Sequence, residues 1–367
     1  MRKPGLILAL LALLAASGCG GGSNPSSSSA VLFIYVVGQN SQSIFGFQQD
    51  STNTVTPLTV NPTTTLRPTS ALVHPSKNFF YVANFGSNDV TKYSRDPHTG
   101  FLTPLGSVPP TPVGTGPVAL GGDAKGQFLY ALNQTSGSIS AFSVDSTRGL
   151  LTELGGSPFA TQANPTSLAV SQSSSFLYVA NGTLHSVSAF AIASNGTLTE
   201  VTGSPFDIGA GGNAAWVAVD PKGRFVYVAD FANSTIVGFA IQSGGGLSPV
   251  SGSPFPAGGT QPAGISIDSG GAFLYTANQG SNSVSGFTIA GSGALTAMTG
   301  SPFASGGTGT NFVTVDVSNK FLYSSNTGAS NVGVSTIDAS SGVLTQVTSP
   351  APAFIVNTRP GWITTSN

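Results

Sequence analysis

One histidine and two aspartates are the side chains in this sequence that are best suited to acid–base chemistry. His185, Asp207 and Asp230 stand in polar, turn-forming stretches between apolar runs. An imidazole beside two carboxylates can act as a general base or hold a metal ion. These three residues are the candidate catalytic set. The alternative is that His185 is simply exposed, since spacing does not fix their distances.

Two arginines and three aromatic residues form a second set, which is suited to binding. Arg67 and Arg359 each precede a proline, and two guanidinium groups placed together can clamp a carboxylate or a phosphate. Trp216, Phe312 and Trp362 recur at one position of a repeated segment and can offer a stacking surface. The alternative interpretation is two solvated arginines and three packing aromatics.

A sevenfold repeat must position both sets. A tyrosine inside an apolar run returns with spacings of 46 to 49 residues, within variants of the pattern Phe-Leu-Tyr-Val-Ala-Asn. Periods of this size with strand signals alone are typical of propeller blades. The seven tyrosines are Tyr35, Tyr81, Tyr130, Tyr178, Tyr227, Tyr275 and Tyr323.

Each repeat is predicted to form four strands, A to D. Strand A follows a proline, as in residues 165–170, strand B holds the tyrosine, and strand D follows a turn ending in glycine, such as Gly196 or Gly246. The first repeat lacks strand A, but residues 359–365 match its pattern. We therefore predict an all-β, seven-bladed β-propeller of four-stranded antiparallel blades. The C-terminal strand should join blade 1, because closure removes the exposed sheet edge.

This fold predicts where the candidate residues lie. The D–A and B–C loops of a propeller converge at one mouth of the central channel, so both candidate sets should meet there. His74 and His98 should lie on the opposite face from His185. We therefore expect no three-histidine zinc site, no other metal and no cofactor.

The N-terminal residues predict export and lipidation. Residues 1–19 read as a lipoprotein signal peptide, with a short basic start, an apolar stretch and Ala16-Ser17-Gly18-Cys19, which is similar to a bacterial lipobox. Cys19 is the only cysteine, so no internal disulfide forms. An ordinary secretory signal is the alternative. Residues 20–29 are a Gly/Ser tether, and residues 30–367 are the propeller. We expect a cell-envelope protein, lipid-anchored to the outer membrane or cell surface.

Composition excludes two classes. Charged residues make up 7% of the chain and the net charge is −1, so the basic surface that nucleic-acid binding requires is missing. The 40% of hydrophobic residues argues against disorder.

The repeats resemble those of lactonase-type seven-bladed propellers. Residues 176–181, the Ser-Asn-Ser-Val-Ser run at 281–285, the turn glycines and the following Leu-Thr carry this resemblance. It covers residues 30–367 and extends to bacterial 6-phosphogluconolactonase, its muconate-cyclising relatives and the YVTN surface-protein repeats. The resemblance implies the propeller fold and hydrolysis of lactones.

This chain departs from the family pattern at the positions that carry catalysis. Such enzymes hold His and Arg just after the strand A proline and a glutamate after the strand B asparagine. The chain's two glutamates, Glu153 and Glu200, stand in strand D instead. The post-proline positions hold Thr69 and Ser70, Val118 and Ala119, Thr166 and Ser167, Ala263 and Gly264, and Gly361 and Trp362. The equivalent positions are Ala215 and Trp216 in blade 5 and Asn311 and Phe312 in blade 7.

These observations favour a binding function over catalysis. We expect an extracytoplasmic scaffold, present as a monomer, for a small anionic or carbohydrate ligand or for a cell-envelope protein. The alternative is a lactone hydrolase of the 6-phosphogluconolactonase type. The candidate ligand-binding residues of the scaffold are Arg67, Arg359, Trp216, Phe312 and Trp362.

Overall fold

The computed structural model describes residues 32–50, 53–59, 62, 64, 66–105, 109–347, 353–356 and 359–367. These residues form β-sheets with one short 3-10 helix, Gly182–Leu184. The signal peptide, Cys19 and the tether expected within residues 1–29 lie outside the described residues. Within the described ranges, no helix combines the length and the hydropathy that a membrane span requires.

The strands follow one another in seven groups along the chain. Blade 1 begins with β1 (Leu32–Gly38), β2 (Ser43–Gln49) and β3 (Val55–Pro57). Blades 2 to 4 comprise β4 (Pro68–Val73), β5 (Phe79–Asn84), β6 (Asp89–Arg95), β7 (Leu102–Pro104), β8 (Thr111–Pro112), β9 (Pro117–Gly122), β10 (Phe128–Asn133), β11 (Ser138–Val144), β12 (Leu151–Glu153), β13 (Phe159–Ala160), β14 (Pro165–Val170), β15 (Phe176–Asn181), β16 (Ser186–Ile192), β17 (Leu198–Glu200) and β18 (Phe206–Asp207). Blades 5 to 7 comprise β19 (Ala214–Val219), β20 (Phe225–Asp230), β21 (Thr235–Ile241), β22 (Leu247–Pro249), β23 (Phe255–Pro256), β24 (Pro262–Ile267), β25 (Phe273–Asn278), β26 (Ser283–Ile289), β27 (Leu295–Ala297), β28 (Phe303–Ala304), β29 (Thr310–Val315), β30 (Phe321–Asn326), β31 (Asn331–Ile337), β32 (Leu344–Gln346) and β33 (Ala353–Ile355), and β34 (Pro360–Ser366) ends the chain.

Every blade is an antiparallel sheet whose strands run from the centre outward in the order A, B, C, D. In blade 4, for example, the order is β14-β15-β16-β17, and β18 also pairs with β16. Strand D of blades 2 to 7 is thus divided into two short segments on one strand C. The four-stranded blades predicted from the sequence are confirmed.

The chain termini close the ring, as the sequence predicted. Strand β34 is the innermost strand of blade 1 and pairs antiparallel with β1, from Phe33 opposite Ser366 to Gly38 opposite Pro360. Successive innermost strands contact one another around the whole circle, in the order β34, β4, β9, β14, β19, β24, β29 and back to β34. Seven sheets therefore surround one axis.

The repeated tyrosine holds each blade to the next. In six blades its buried hydroxyl donates to the carbonyl of a glycine in the C–D turn of the next blade, as Tyr178 does to Gly245 at 3.0 Å. In the seventh, Tyr323 donates to the Gln49 side chain of blade 1. The turn glycine expected at Gly246 is therefore Gly245, which has φ +83°. The other five bonds are Tyr35 to Gly100, Tyr81 to Gly149, Tyr130 to Gly196, Tyr227 to Gly293 and Tyr275 to Gly342.

Candidate functional site

Seven equivalent hydrogen bonds build the mouth of the central channel. In each blade the residue before strand A accepts, through its carbonyl, a bond from the N–H of the residue after strand B. The D–A and B–C loops of each blade therefore meet at one end of the channel. The pairs are Phe85 to Arg67, Gln134 to Gly116, Gly182 to Asn164, Phe231 to Asn213, Gln279 to Gln261, Thr327 to Gly309 and Gln39 to Arg359, at 2.8 to 3.2 Å.

A cavity of about 340 Å³ lies in this mouth. All seven blades contribute the second residue of strand A to its wall. Loop residues after strand B complete the wall in blades 1, 5 and 6. The lining residues are Thr69, Val118, Thr166, Ala215, Ala263, Asn311 and Gly361, then Gln39, Phe231 and Gln279, and the aromatic residues Trp216, Phe312 and Trp362.

The three aromatic residues form the floor of the cavity. Their ring centroids are 5.2 Å apart for Trp216 and Phe312, 5.1 Å for the two tryptophans, and 5.0 Å for Phe312 and Trp362. These separations lie in the range that aromatic pairs prefer. All three occupy the third position of strand A, one residue deeper in the channel than the wall. We call them the aromatic floor.

Small residues elsewhere in the ring make room for the floor. The third positions of blades 2, 3, 4 and 6 hold serine, alanine, serine and glycine. Trp362 extends from blade 1 to a hydrophobic cluster that contains Ala119 of blade 3 and Leu168 of blade 4, so its side chain crosses the axis. A Cβ at Gly264 would lie 3.1 Å from the Asn311 carbonyl oxygen, and this close approach of β24 and β29 positions Phe312.

Some polar side chains of the wall already make hydrogen bonds within the protein, and others do not. The Thr69 hydroxyl donates to the Pro117 carbonyl at 2.8 Å, and that of Thr166 donates to the Ala214 carbonyl at 2.6 Å. Asn311 Oδ1 is buried without a hydrogen-bond partner among the described residues. A buried acceptor of this kind is costly unless a ligand or water satisfies it. The Gln39 Nε2 atom lies 2.7 Å from the position of a Cβ at Gly361, so glycine there leaves room for this amide.

The five predicted ligand-binding residues separate into two groups. Trp216, Phe312 and Trp362 lie together and line the cavity. Arg67 and Arg359 lie beside the mouth but do not line it. The Arg67 guanidinium lies over the Phe85 ring, 4.4 Å from its centroid, an arrangement that favours a cation–π interaction. The anion clamp expected from the two arginines stays a prediction.

The predicted catalytic residues lie outside the cavity lining. The His185 carbonyl accepts a bond from Ile208, and Asp207 pairs with Ser186 at the outer edge of blade 4. The Asp230 carboxylate is buried and accepts bonds from the backbone N–H groups of Asn213 and Asn233 at 2.8 and 3.2 Å. This carboxylate therefore fixes loops of the mouth. The general-base role of the three residues stays a prediction.

The described residues include no group of three or more His, Cys, Asp or Glu side chains placed to hold a metal ion. Among the described residues, none that lines the cavity is ionisable. The chemistry available in the lining is therefore stacking on the floor and hydrogen bonding from amides and hydroxyls.

Comparison with known proteins agrees with this architecture. The sequence pattern of the family described as "Lactonase, 7-bladed beta-propeller" matches residues 26–118, 156–253 and 250–356. A comparison with curated proteins finds no match. The matched residues make up more than half of the chain, which is sufficient to place the chain in this family.

Solved structures share the fold at low sequence identity. A candidate 6-phosphogluconolactonase from Bacteroides fragilis has a TM-score of 0.79 at 18% identity, covering 94% of this chain and 100% of its own. The periplasmic gluconolactonase of Pseudomonas aeruginosa has a TM-score of 0.77 at 18% identity, covering 92% and 99%. Likeness at this identity extends to the fold alone. The chain belongs to the lactonase family of seven-bladed β-propellers.

Proposed function

We propose that the mouth cavity binds an uncharged, polyhydroxylated ring compound, a sugar or a sugar lactone. The observation that carries this proposal is the aromatic floor beside the amides of Gln39, Gln279 and Asn311, in a lining whose described residues include no ionisable group. The C–H face of a sugar ring is apolar and stacks on aromatic rings, while its hydroxyl groups project sideways. A floor of aromatic rings with amide groups at its side matches both features.

The size of the cavity supports a small ligand. Its volume of about 340 Å³ lies near the lower end of the range for small-molecule pockets, about 300 to 1,000 Å³. An anion in this cavity would lose water without gaining a counter-charge from the lining, and burying an unpaired charge is expensive. The cavity therefore favours a neutral ligand over a phosphorylated one.

Intrinsic fluorescence gives a direct test, because the chain holds two tryptophans and both stand in the floor. Titration with 1,5-anhydro-D-glucitol, a stable neutral sugar ring, should change the tryptophan emission and saturate. Trp216→Phe and Trp362→Phe variants apportion the change between the two indoles. Phe85→Ala, outside the lining, is the control and should leave the titration unchanged. Emission that stays constant at every sugar concentration would contradict the proposal.

Lactone hydrolysis is the second candidate function. It is favoured by family membership and by the fold shared with a gluconolactonase. In this reaction water adds to the lactone carbonyl, the ring C–O bond breaks, and a hydroxy acid forms. The amides of Gln39, Gln279 and Asn311 would donate hydrogen bonds to the developing oxyanion. The residues that the structure describes in the lining supply no carboxylate or imidazole to deprotonate the water.

Proton release from D-glucono-1,5-lactone, followed by pH-stat titration, tests the second candidate. An enzyme would exceed the spontaneous rate and lose turnover in Gln279→Ala. Gln134→Ala, in the same column but outside the lining, should keep the rate. If His185→Ala abolishes turnover instead, the general base belongs to the catalytic residues predicted from the sequence, His185, Asp207 and Asp230. A rate equal to that of buffer alone would eliminate lactone hydrolysis.

We further propose that this binding occurs at the cell envelope, through a lipid on Cys19. The support is the signal-like sequence of residues 1–19. Cys19→Ser should release the protein from the membrane fraction into the soluble one, and it should abolish incorporation of labelled palmitate. A membrane-bound Cys19→Ser variant would contradict this proposal.

A further inference from the structure

The wall of the mouth cavity is polar on one side only. Gln279, Asn311 and Gln39 come from blades 6, 7 and 1, which are consecutive in the ring. Their amide groups therefore occupy one continuous sector, which we call the amide arc. The buried and unpartnered Oδ1 of Asn311 stands at its centre.

The remaining sector offers a ligand little hydrogen-bonding capacity. Val118, Ala215 and Phe231 are apolar and come from blades 3 and 5. The hydroxyl of Thr166, in blade 4 between them, already uses its one hydrogen on the Ala214 carbonyl at 2.6 Å, with the Ala180 carbonyl 3.1 Å away. We call the sector formed by Val118, Thr166, Ala215 and Phe231 the apolar wall.

We propose that the ligand is a neutral sugar or lactone ring that carries an apolar substituent, such as a glycoside with an apolar aglycone. Its hydroxyl-bearing edge faces the amide arc, its C–H face lies on the aromatic floor, and its substituent packs on the apolar wall. This inference rests on the proposed function, and it adds the class and the orientation of the ligand. An unsubstituted sugar would leave the apolar wall in contact with water.

The expected preference follows from the apolar area that the substituent buries. Burial of about 55 Å² of apolar surface is sufficient for a tenfold gain in affinity. A phenyl group presents more than this area, so phenyl β-D-glucopyranoside should bind at least about tenfold more tightly than methyl β-D-glucopyranoside.

Isothermal titration calorimetry with three compounds tests the inference on the intact protein. The probes are methyl β-D-glucopyranoside, phenyl β-D-glucopyranoside and D-glucose 6-phosphate. We expect binding of both glucosides, a preference for the phenyl compound, and markedly weaker binding of the phosphate. Phenyl and methyl glucosides bound equally well would overturn the inference and leave the proposed function standing. Glucose 6-phosphate bound as tightly as either glucoside would overturn the proposed preference for an uncharged ring, and the inference with it.

Matched variants locate the two sectors. Phe231→Ala should remove the phenyl preference and keep methyl glucoside binding, whereas Phe85→Ala, the same residue type at the same position of blade 2, should keep both. Asn311→Ala should weaken both glucosides, because it removes the centre of the amide arc. A Phe231→Ala variant that retains the full preference would overturn the placement of the substituent. Absence of binding of every sugar by the folded protein would overturn the proposed function itself.

Discussion

Replacing Tyr178 with phenylalanine should isolate the energy of one bond between blades. The Tyr178 hydroxyl donates to the Gly245 carbonyl at 3.0 Å, and both partners belong to adjacent blades. The tyrosine is fully buried, so phenylalanine keeps the ring packing and leaves the carbonyl unsatisfied. Loss of such a bond costs about 1 to 3 kcal/mol. Burial also raises the pKa of this tyrosine, which is the expected consequence of removing a phenol from water.

Urea unfolding followed by circular dichroism measures this cost. Tyr178→Phe should lower the midpoint without changing the slope, because the unfolded surface is the same. Tyr130→Phe removes the equivalent bond to Gly196 at 2.9 Å and serves as the matched variant. Because the two bonds lie at different interfaces, the double variant should lose about the sum of the single costs, within ~0.5 kcal/mol. Single variants as stable as the wild type would refute the claim that these hydroxyls hold the blades together.

Three further predictions concern closure, turns and alkaline stability. Deleting residues 358–367 removes β34 from blade 1 and should abolish cooperative thermal unfolding; a truncated protein with an unchanged melting curve would contradict ring closure. Gly196→Ala should destabilise the fold more than Gly223→Ala. Both glycines have positive φ, but a Cβ at Gly196 would lie 2.3 Å from Phe128, whereas a Cβ at Gly223 would meet open space. Equal denaturation midpoints would contradict a contribution from the clash with Phe128. Desolvation raises the pKa values of the buried tyrosines, so the folded state favours the neutral phenol. The free energy of unfolding should therefore fall as the pH rises above the ordinary tyrosine pKa of about 10. Melting temperatures from circular dichroism should decline across that pH range, and constant values would contradict the prediction.

The fold could be predicted from the repeat of 46 to 49 residues, because each blade makes the same contacts with the same residue types. The tyrosine marks strand B in every blade, and strand A of blade 4, predicted at residues 165–170, is observed at Pro165–Val170. The last strand, expected at residues 359–365, is observed at Pro360–Ser366. The absence of strand A from the first repeat, together with a lone strand of the A pattern in the last residues, was enough to predict closure.

The site was harder to predict, because side-chain direction at the mouth depends on the neighbouring blade. Phe85 and Phe231 occupy the same column, yet only Phe231 lines the cavity. Phe85 instead lies against the next blade, with its ring 3.1 Å from the position of a Cβ at Gly116, and under the Arg67 guanidinium. The sequence shows the residue type at each column position but not these contacts between loops.

Gln39 and Asp230 also show that the sequence does not reveal contacts between loops at the mouth. Gln39 was missed because it follows Gly38, where other blades end strand B in asparagine or aspartate. Its place directly after strand B is the signal that could have found it. Asp230 attracted attention as an ionisable group, but its carboxylate binds the N–H groups of two loops. The position of Asp230 at the end of strand B is typical of a side chain that bonds the backbone of its turn, but spacing did not show which N–H groups it would bind.

A crystal structure of the protein soaked with phenyl β-D-glucopyranoside tests the central claim most directly. We expect a sugar ring stacked on the aromatic floor, with hydroxyl groups in hydrogen-bond distance of Asn311 Oδ1 and the phenyl group against Phe231. A glucoside bound on another surface of the propeller, with the mouth cavity holding solvent alone, would contradict it.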